Sequence, residues 1–225
     1  MNRTQDSNRV WVVIPAKALT EGKTRLAPVL SADGRERLNR QFLEHTLGVA
    51  TAMHELDGVL VVSSDEAALD IARTHGACTL EEVPAQGLNP ALTLASQWLA
   101  ARDVTHVMTV SADLPHLRRP DLGAVIETAL TDAPSGRSVT IAPDEDGQGT
   151  NVMVMSPPGV IAYQYGVGSY ARHRAASLTC DAVFREVRRP GLIFDVDSPE
   201  DLRRWKETAT PDEGHAVQAQ ACAAR

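Results

Sequence analysis

Cysteine is scarce in this chain, and its placement is as informative as its number. Cys78, Cys180 and Cys222 are the only three in 225 residues, and no Cys-x-x-Cys pair occurs. An odd count at wide spacing argues against a disulfide scaffold or a thiolate zinc site and fits a reducing cytoplasm. The seven histidines are scattered, and no two have the spacing of a helical zinc site. Long apolar runs are missing too, so no segment is expected to span a bilayer. Residues 1–9 are polar and lack the apolar core of a signal peptide. These absences predict a cytoplasmic protein with no membrane partner. Positive charge is also short, with 22 Lys and Arg against 29 Asp and Glu, a formal charge of −7. General nucleic-acid binding needs a basic face, so nucleic acid is not expected as a partner. An anionic substrate would require cations concentrated locally.

What is present is ordinary for a globular domain: 43% hydrophobic and 23% charged residues. The length suits one large domain with a substantial core, expected over residues 10–207, with flexible ends at 1–9 and 208–225. Continuous apolar character predicts a doubly covered strand over 10–14, stopped by Pro15. Ser31 can cap a helix over 33–55, where Leu38, Phe42, Leu43 and Leu47 recur at helical spacing. Further strands are expected at 58–62, 77–80, 106–110, 138–142, 151–155, 183–187 and 192–194. Helices are expected at 66–74, 90–101, 120–130, 169–177 and 199–206. Such alternation predicts a three-layer α/β/α domain, and the hairpin-like pair at 138–155 makes the sheet mixed.

In open α/β sheets ligands sit beyond the carboxyl ends of the strands. The loop after the first strand has neither a Gly-x-Gly-x-x-Gly turn nor P-loop glycine spacing. It does gather Lys17, Lys23 and Arg25, and such cations neutralise phosphate oxygens. Charge alone does not distinguish this from a solvated basic loop. Ser111-Ala112-Asp113-Leu114-Pro115 follows the expected strand at 106–110, where Asp113 could face a ligand or merely cap a turn. Asp195-Val196-Asp197 follows another apolar segment, and alternation would place both carboxylates on one face. Adjacent carboxylates repel unless a cation lies between them, and hard oxygen donors suit magnesium. Asp197 or Ser198 could instead cap the helix opened by Pro199, which leaves Asp195 unexplained. Finally, Asp146-Gly147-Gln148-Gly149-Thr150-Asn151 and Tyr165-Gly166-Val167-Gly168-Ser169 are Gly-rich, and the second leads into Arg172 and His173. Ser169 at a helix start is a candidate anion site. Asp146-Gly147 by itself reads as a turn, and a lone His173 reads more readily as structural than catalytic.

Together these pieces resemble the guanylyltransferases of coenzyme F-420 biosynthesis. The resemblance rests on Lys23-Thr24-Arg25-Leu26-Ala27-Pro28, Gly87-Leu88-Asn89, Ala112-Asp113-Leu114-Pro115, Gly147-Gln148-Gly149-Thr150-Asn151, Gly166-Val167-Gly168-Ser169 and Phe194-Asp195-Val196-Asp197-Ser198-Pro199. It implies a nucleotide-diphospho-sugar transferase-like fold and a reaction between GTP and 2-phospho-L-lactate, phosphoenolpyruvate or 3-phospho-D-glycerate. It implies that Asp113, Asp195 and Asp197 hold two magnesium ions, with Lys17, Lys23 and Arg25 facing the GTP phosphates. Pro84, Gly87, Leu88, Asn89 and Ser111 would lie on the nucleotide side. Thr150, Gly166 and Ser169 would bind the phosphorylated acid, with Arg172 and His173 nearby. A downstream transferase of the same pathway and a homodimer are the implied partners. Tyr165 departs from the apolar residue that the family often carries there. A sugar-phosphate or molybdenum-cofactor nucleotidyltransferase is the nearest alternative, but such enzymes open with a glycine-rich loop where this chain has Ala16-Lys17-Ala18. A non-catalytic nucleotide-binding regulator would not need all three carboxylates and the cationic loop.

Overall fold

A computed structural model describes residues 8–82 and 86–208. The chain runs β1 (Val10–Pro15), α1 (Ala32–Thr51), β2 (Gly58–Ser63), α2 (Glu66–Thr74), β3 (Cys78–Glu81), α3 (Leu88–Ala100) and β4 (His106–Val110). It continues through α4 (Arg119–Ala129), β5 (Ser138–Pro143), β6 (Thr150–Ser156), α5 (Ser169–Thr179), β7 (Val183–Glu186), α6 (Pro190–Ile193) and α7 (Pro199–Thr208). Seven strands form one sheet in the order β3-β2-β1-β4-β6-β5-β7. β1 to β4 are parallel neighbours, β6 runs antiparallel to both β4 and β5, and β7 is parallel to β5. The mixed three-layer α/β/α architecture is therefore as the sequence predicts.

Alternation along β1 divides the core. Val12 and Ile14 pack with residues of α1, α2 and α4, while Val13 faces the opposite side with Leu92, Ala95 and Leu99 of α3. All four of these β1 and α3 positions facing that side are buried, which explains why β1 reads as a continuous apolar run. A third, smaller cluster joins Leu26, Leu38, Phe42, Val196, Leu202 and Trp205. It pins the loop after β1 and the segment before α7 to the same flank of α1. Two distant stretches of polar sequence are brought together by apolar contacts.

Two sequence expectations are corrected. The helix expected to reach residue 55 ends at Thr51, where Met53 turns its N–H back to the Ala50 carbonyl and buries its side chain. Residues 192–194, expected as a strand, begin inside the four-residue helix α6. Pro190 occupies its first turn, where its fixed φ favours a helix. Gly191 is wedged so closely that an added Cβ would lie 2.6 Å from the His116 carbonyl. The Leu192 carbonyl at the end of α6 accepts from Asn151 Nδ2 at 3.0 Å. Only Phe194 returns to extended backbone.

Candidate active site

The carboxyl ends of β1 and β4 diverge at the point where the strand order reverses, and the antiparallel β6 begins beside them. Ser111 N–H donates to the Asn151 carbonyl at 2.9 Å, which extends the β4–β6 pairing to the edge of the site. Asp113 lies two residues further on. Asp195 and Asp197 arrive from the other side, and Val196 between them is buried in the small third cluster. Oxygens of Asp113, Asp195 and Asp197 all lie within 4.8 Å of one another. The same-face placement of Asp195 and Asp197 survives, although the element before them is α6 rather than a strand.

Lys23 enters this cluster from the β1 loop. Its Nζ lies 2.5 Å from Asp113 Oδ2 and 2.8 Å from Asp197 Oδ1. Its side chain is only 7% exposed and approaches the Phe42 ring, 6.0 Å from the centroid. Lys23 adopts left-handed backbone, φ 56° and ψ 37°, a costly conformation for a non-glycine residue. The turn is held because Lys23 carbonyl accepts the Leu26 N–H and Leu26 is fully buried. Upstream, Leu19 N–H donates to Asp65 and Leu19 carbonyl accepts from Asn39. The loop is thus tied at both ends, and its strained residue is the one that reaches the carboxylates. Lys17 and Arg25 are exposed and form no ion pair among the described residues. Lys23, expected to face phosphates, is instead committed to carboxylates in this state.

Charge sets the protonation states. Burial works against the Lys23 ammonium, but Asp113 and then Asp197 outweigh it and raise its pKa. Burial likewise opposes ionisation of Asp113, yet Lys23 and the Ser111 hydroxyl, which donates to Oδ1 at 2.6 Å, hold it below the usual carboxylate range. Asp195 receives too little compensation. Burial first, then Asp113 and Asp197, push it up to about 7, and Asn151 Nδ2 at 3.5 Å only partly offsets this. One ammonium among three carboxylates leaves negative charge uncompensated. All-oxygen donors with that deficit suit a hard divalent cation such as magnesium.

A second set of residues surrounds the start of β6. Thr150 Oγ1 accepts from Ser169 Oγ at 3.2 Å and lies 3.1 Å from His173 Nδ1. His173 Nε2 accepts the Gln164 N–H at 2.9 Å. That partner assigns the ring proton to Nδ1, so His173 also donates to Thr150. Thr150 therefore accepts twice and keeps its own proton for an outside acceptor. Burial, aided by Arg172, holds the fully buried His173 down at about 4, so the ring is neutral. His173 thus bridges Thr150 to the Gln164 backbone as a buried neutral ring.

Arg172, expected to approach the acid, clamps the loop before α5. Its Nε and Nη2 donate to Gln164 carbonyl, and Nη1 donates to Val167 carbonyl. Gly166 and Gly168 have φ of 120° and 71°, backbone that side-chain-bearing residues rarely adopt, which lets the loop fold back onto α5. Of the first amides of α5, Ser169 and Tyr170 are already bonded to the Gly166 and Gln148 carbonyls. The helix-start anion site foreseen at Ser169 thus has fewer free donors than a bare helix end. Gly87 precedes α3, and Leu88 and Asn89 open it. The Asn89 carboxamide is bonded to Tyr165 rather than left open. Pro84 lies outside the described residues. Asn151, which holds both Leu192 and Asp195, was visible in the Gly-Gln-Gly-Thr-Asn segment but had no role there, because its partners lie more than 40 residues away.

The family described as "Guanylyl transferase CofC like" matches residues 10–203. The chain is 36% identical over 190 residues to a phosphoenolpyruvate guanylyltransferase of Sphaerobacter thermophilus, covering 84% of this chain and 89% of that one. It is 32% identical over 203 residues to a 3-phospho-D-glycerate guanylyltransferase of Colwellia psychrerythraea, with 90% and 94% covered. Among solved structures, a putative nucleotide-diphospho-sugar transferase from Desulfovibrio desulfuricans superposes with a TM-score of 0.70 at 16% identity, covering 89% of each chain. At that identity the likeness speaks to the fold alone.

Proposed function

Since this chain belongs to the CofC-like guanylyl transferase family, we propose that it condenses GTP with a small phosphorylated carboxylic acid and releases pyrophosphate, as a step of coenzyme F-420 biosynthesis. The observation that carries this reading is the meeting of Asp113, Asp195, Asp197 and Lys23, joined through Asn151 to the hydrogen-bonded Thr150, Ser169 and His173 at the start of β6. The names of relatives support phosphoenolpyruvate and 3-phospho-D-glycerate as acids to test, and 2-phospho-L-lactate joins them by chemical likeness.

The acid's phosphate oxygen attacks the α-phosphorus of GTP, a new P–O bond forms, and the bond to pyrophosphate breaks. A phosphate monoester has a second pKa of about 6, so it is already largely dianionic and needs no general base. The obstacle is bringing two anions together. Asp113, Asp195 and Asp197 would hold magnesium, two ions by likeness to the family. When bound, magnesium supplies positive charge at the phosphates and helps align them. Lys17 and Arg25, exposed and without an ion pair among the described residues, are available to the GTP phosphates, with Lys23 behind them. Thr150 offers its hydroxyl proton to the acid, and the Gly166 backbone lies beside it. Gly87 and Leu88 would lie beside guanine. The product is an activated diphosphate suited to a downstream transferase.

Phosphorus NMR of GTP, magnesium and each acid tests this reading. The acid's monoester signal should be replaced by a diphosphate pair as pyrophosphate appears. Turnover of a sugar phosphate, with none of these acids consumed, would move the assignment to the sugar-phosphate enzymes.

A further inference from the structure

Asn89 sits on the nucleotide side of the proposed site, yet its carboxamide is engaged elsewhere. Oδ1 accepts the Tyr165 N–H at 2.7 Å, and Nδ2 donates to the Tyr165 carbonyl at 3.3 Å. One side chain thus pairs both polar groups of a residue 76 positions away, as a neighbouring strand would. The Tyr165 side chain is held separately, between β4 and α5. Its hydroxyl is 2.6 Å from Thr109 Oγ1 on β4, and its edge packs against His173. What Tyr165 contributes to the loop is therefore its backbone, directly before Gly166.

Further ties come from α5, with Arg172 on the Gln164 and Val167 carbonyls and His173 on the Gln164 N–H, and from Ser96 of α3, whose hydroxyl lies 2.6 Å from that of Tyr163. Asn89 comes from α3, immediately after Gly87 and Leu88. α5 holds the loop backbone from one side, and α3 holds it from the other, through Asn89 on the Tyr165 backbone and Ser96 on the Tyr163 hydroxyl. We propose that Asn89 is a positioning residue that couples the two substrates: nucleotide seated beside Gly87 and Leu88 fixes Asn89, and Asn89 fixes the Tyr165–Gly166 peptide. This rests on the two-substrate reading above. Linkage requires the coupling to be reciprocal, so the acid tightens the nucleotide by the factor with which the nucleotide tightens the acid.

Two readouts on wild type, Asn89→Ala and Asn89→Asp decide it. Asn89→Asp keeps an acceptor for the Tyr165 N–H but loses the donor, and serves if Asn89→Ala does not fold. Hydrogen exchange over residues 164–168, with and without GTP and magnesium, needs no turnover. GTP should slow exchange there in wild type and leave both variants unchanged. Initial rates with phosphoenolpyruvate should show its KM rising about tenfold, the scale of one or two lost hydrogen bonds. The Kd for GTP measured without acid should stay within about twofold. Weaker binding of GTP alone would mean that Asn89 contacts the nucleotide directly and would overturn the proposal. An unchanged wild-type loop on adding GTP, or a GTP response retained in the variants, would overturn it too. Absence of turnover with every acid would remove the guanylyltransfer reading while the exchange experiment still judged the coupling.

Discussion

Lys23 Nζ and Asp113 Oδ2 lie 2.5 Å apart although 90 residues separate them in the chain. The contact joins the loop after β1 to the end of β4, the two strand ends that border the site. Asp197 completes a three-membered ion cluster from a third segment. The ammonium stands among the oxygens that would hold a cation, so it neutralises part of their repulsion when no metal is bound.

Replacing Lys23 by Met should therefore destabilise the metal-free protein by about 2 kcal/mol. That is below the usual loss for a broken buried pair because Asp197 stays half exposed. Magnesium should then raise the melting temperature more in the variant than in wild type, since it replaces the lost charge. Thermal unfolding with and without magnesium measures both effects. An equal magnesium shift in the two proteins would count against the cluster as the cation site.

Thr150→Val tests the proposed acid site. The hydroxyl accepts from Ser169 and His173 and keeps a proton to donate. Its loss should raise the KM for the acid about ten- to hundredfold, as for a hydrogen bond to a charged group, and change that for GTP little. Thr150→Ser should restore most of the affinity. A rise in the GTP KM instead would place Thr150 on the nucleotide side.

His173 gives the stability a definite pH dependence. The folded ring titrates near 4 against 6.5 for an ordinary histidine. Between those values the unfolded chain takes up the proton and the folded chain does not, so stability falls as pH drops through this window. Above about pH 6.5 this contribution is constant, and its full size is on the order of 3 kcal/mol. Urea unfolding from about pH 4.5 to 7.5 should show a steeper slope in wild type than in His173→Gln. Equal slopes would contradict a buried neutral ring.

Gly191→Ala probes the turn that replaces the expected strand. A methyl group there meets the His116 carbonyl and the Asp121 carboxylate, so a loss of about 1–3 kcal/mol is expected. A variant as stable as wild type in urea would mean that the packing around α6 has room for a methyl group.

Period and punctuation made most elements legible, because β1, β4 and α1 bury whole faces and their sequences say so. Residues 192–194 were not legible as a helix end, since a short apolar run fits a buried strand and a buried turn equally well. Asp113, Asp195 and Asp197 were legible as candidates because each follows an apolar segment. That Lys23 joins them was not, since it depends on Leu26, Phe42 and Val196 meeting in one small cluster. Arg172 and Asn89 show the same limit. Their residue types suggested ligands, but their partners are backbone groups, which leave no trace in the residue pattern.

Pyrophosphate release is the most direct measurement. Wild type and Asp113→Asn are given GTP and magnesium with phosphoenolpyruvate, 3-phospho-D-glycerate or 2-phospho-L-lactate separately. Release with at least one acid, falling at least about a hundredfold in the variant, is the predicted result. Silence with all three acids, or undiminished release from Asp113→Asn, would contradict an active site built on these carboxylates.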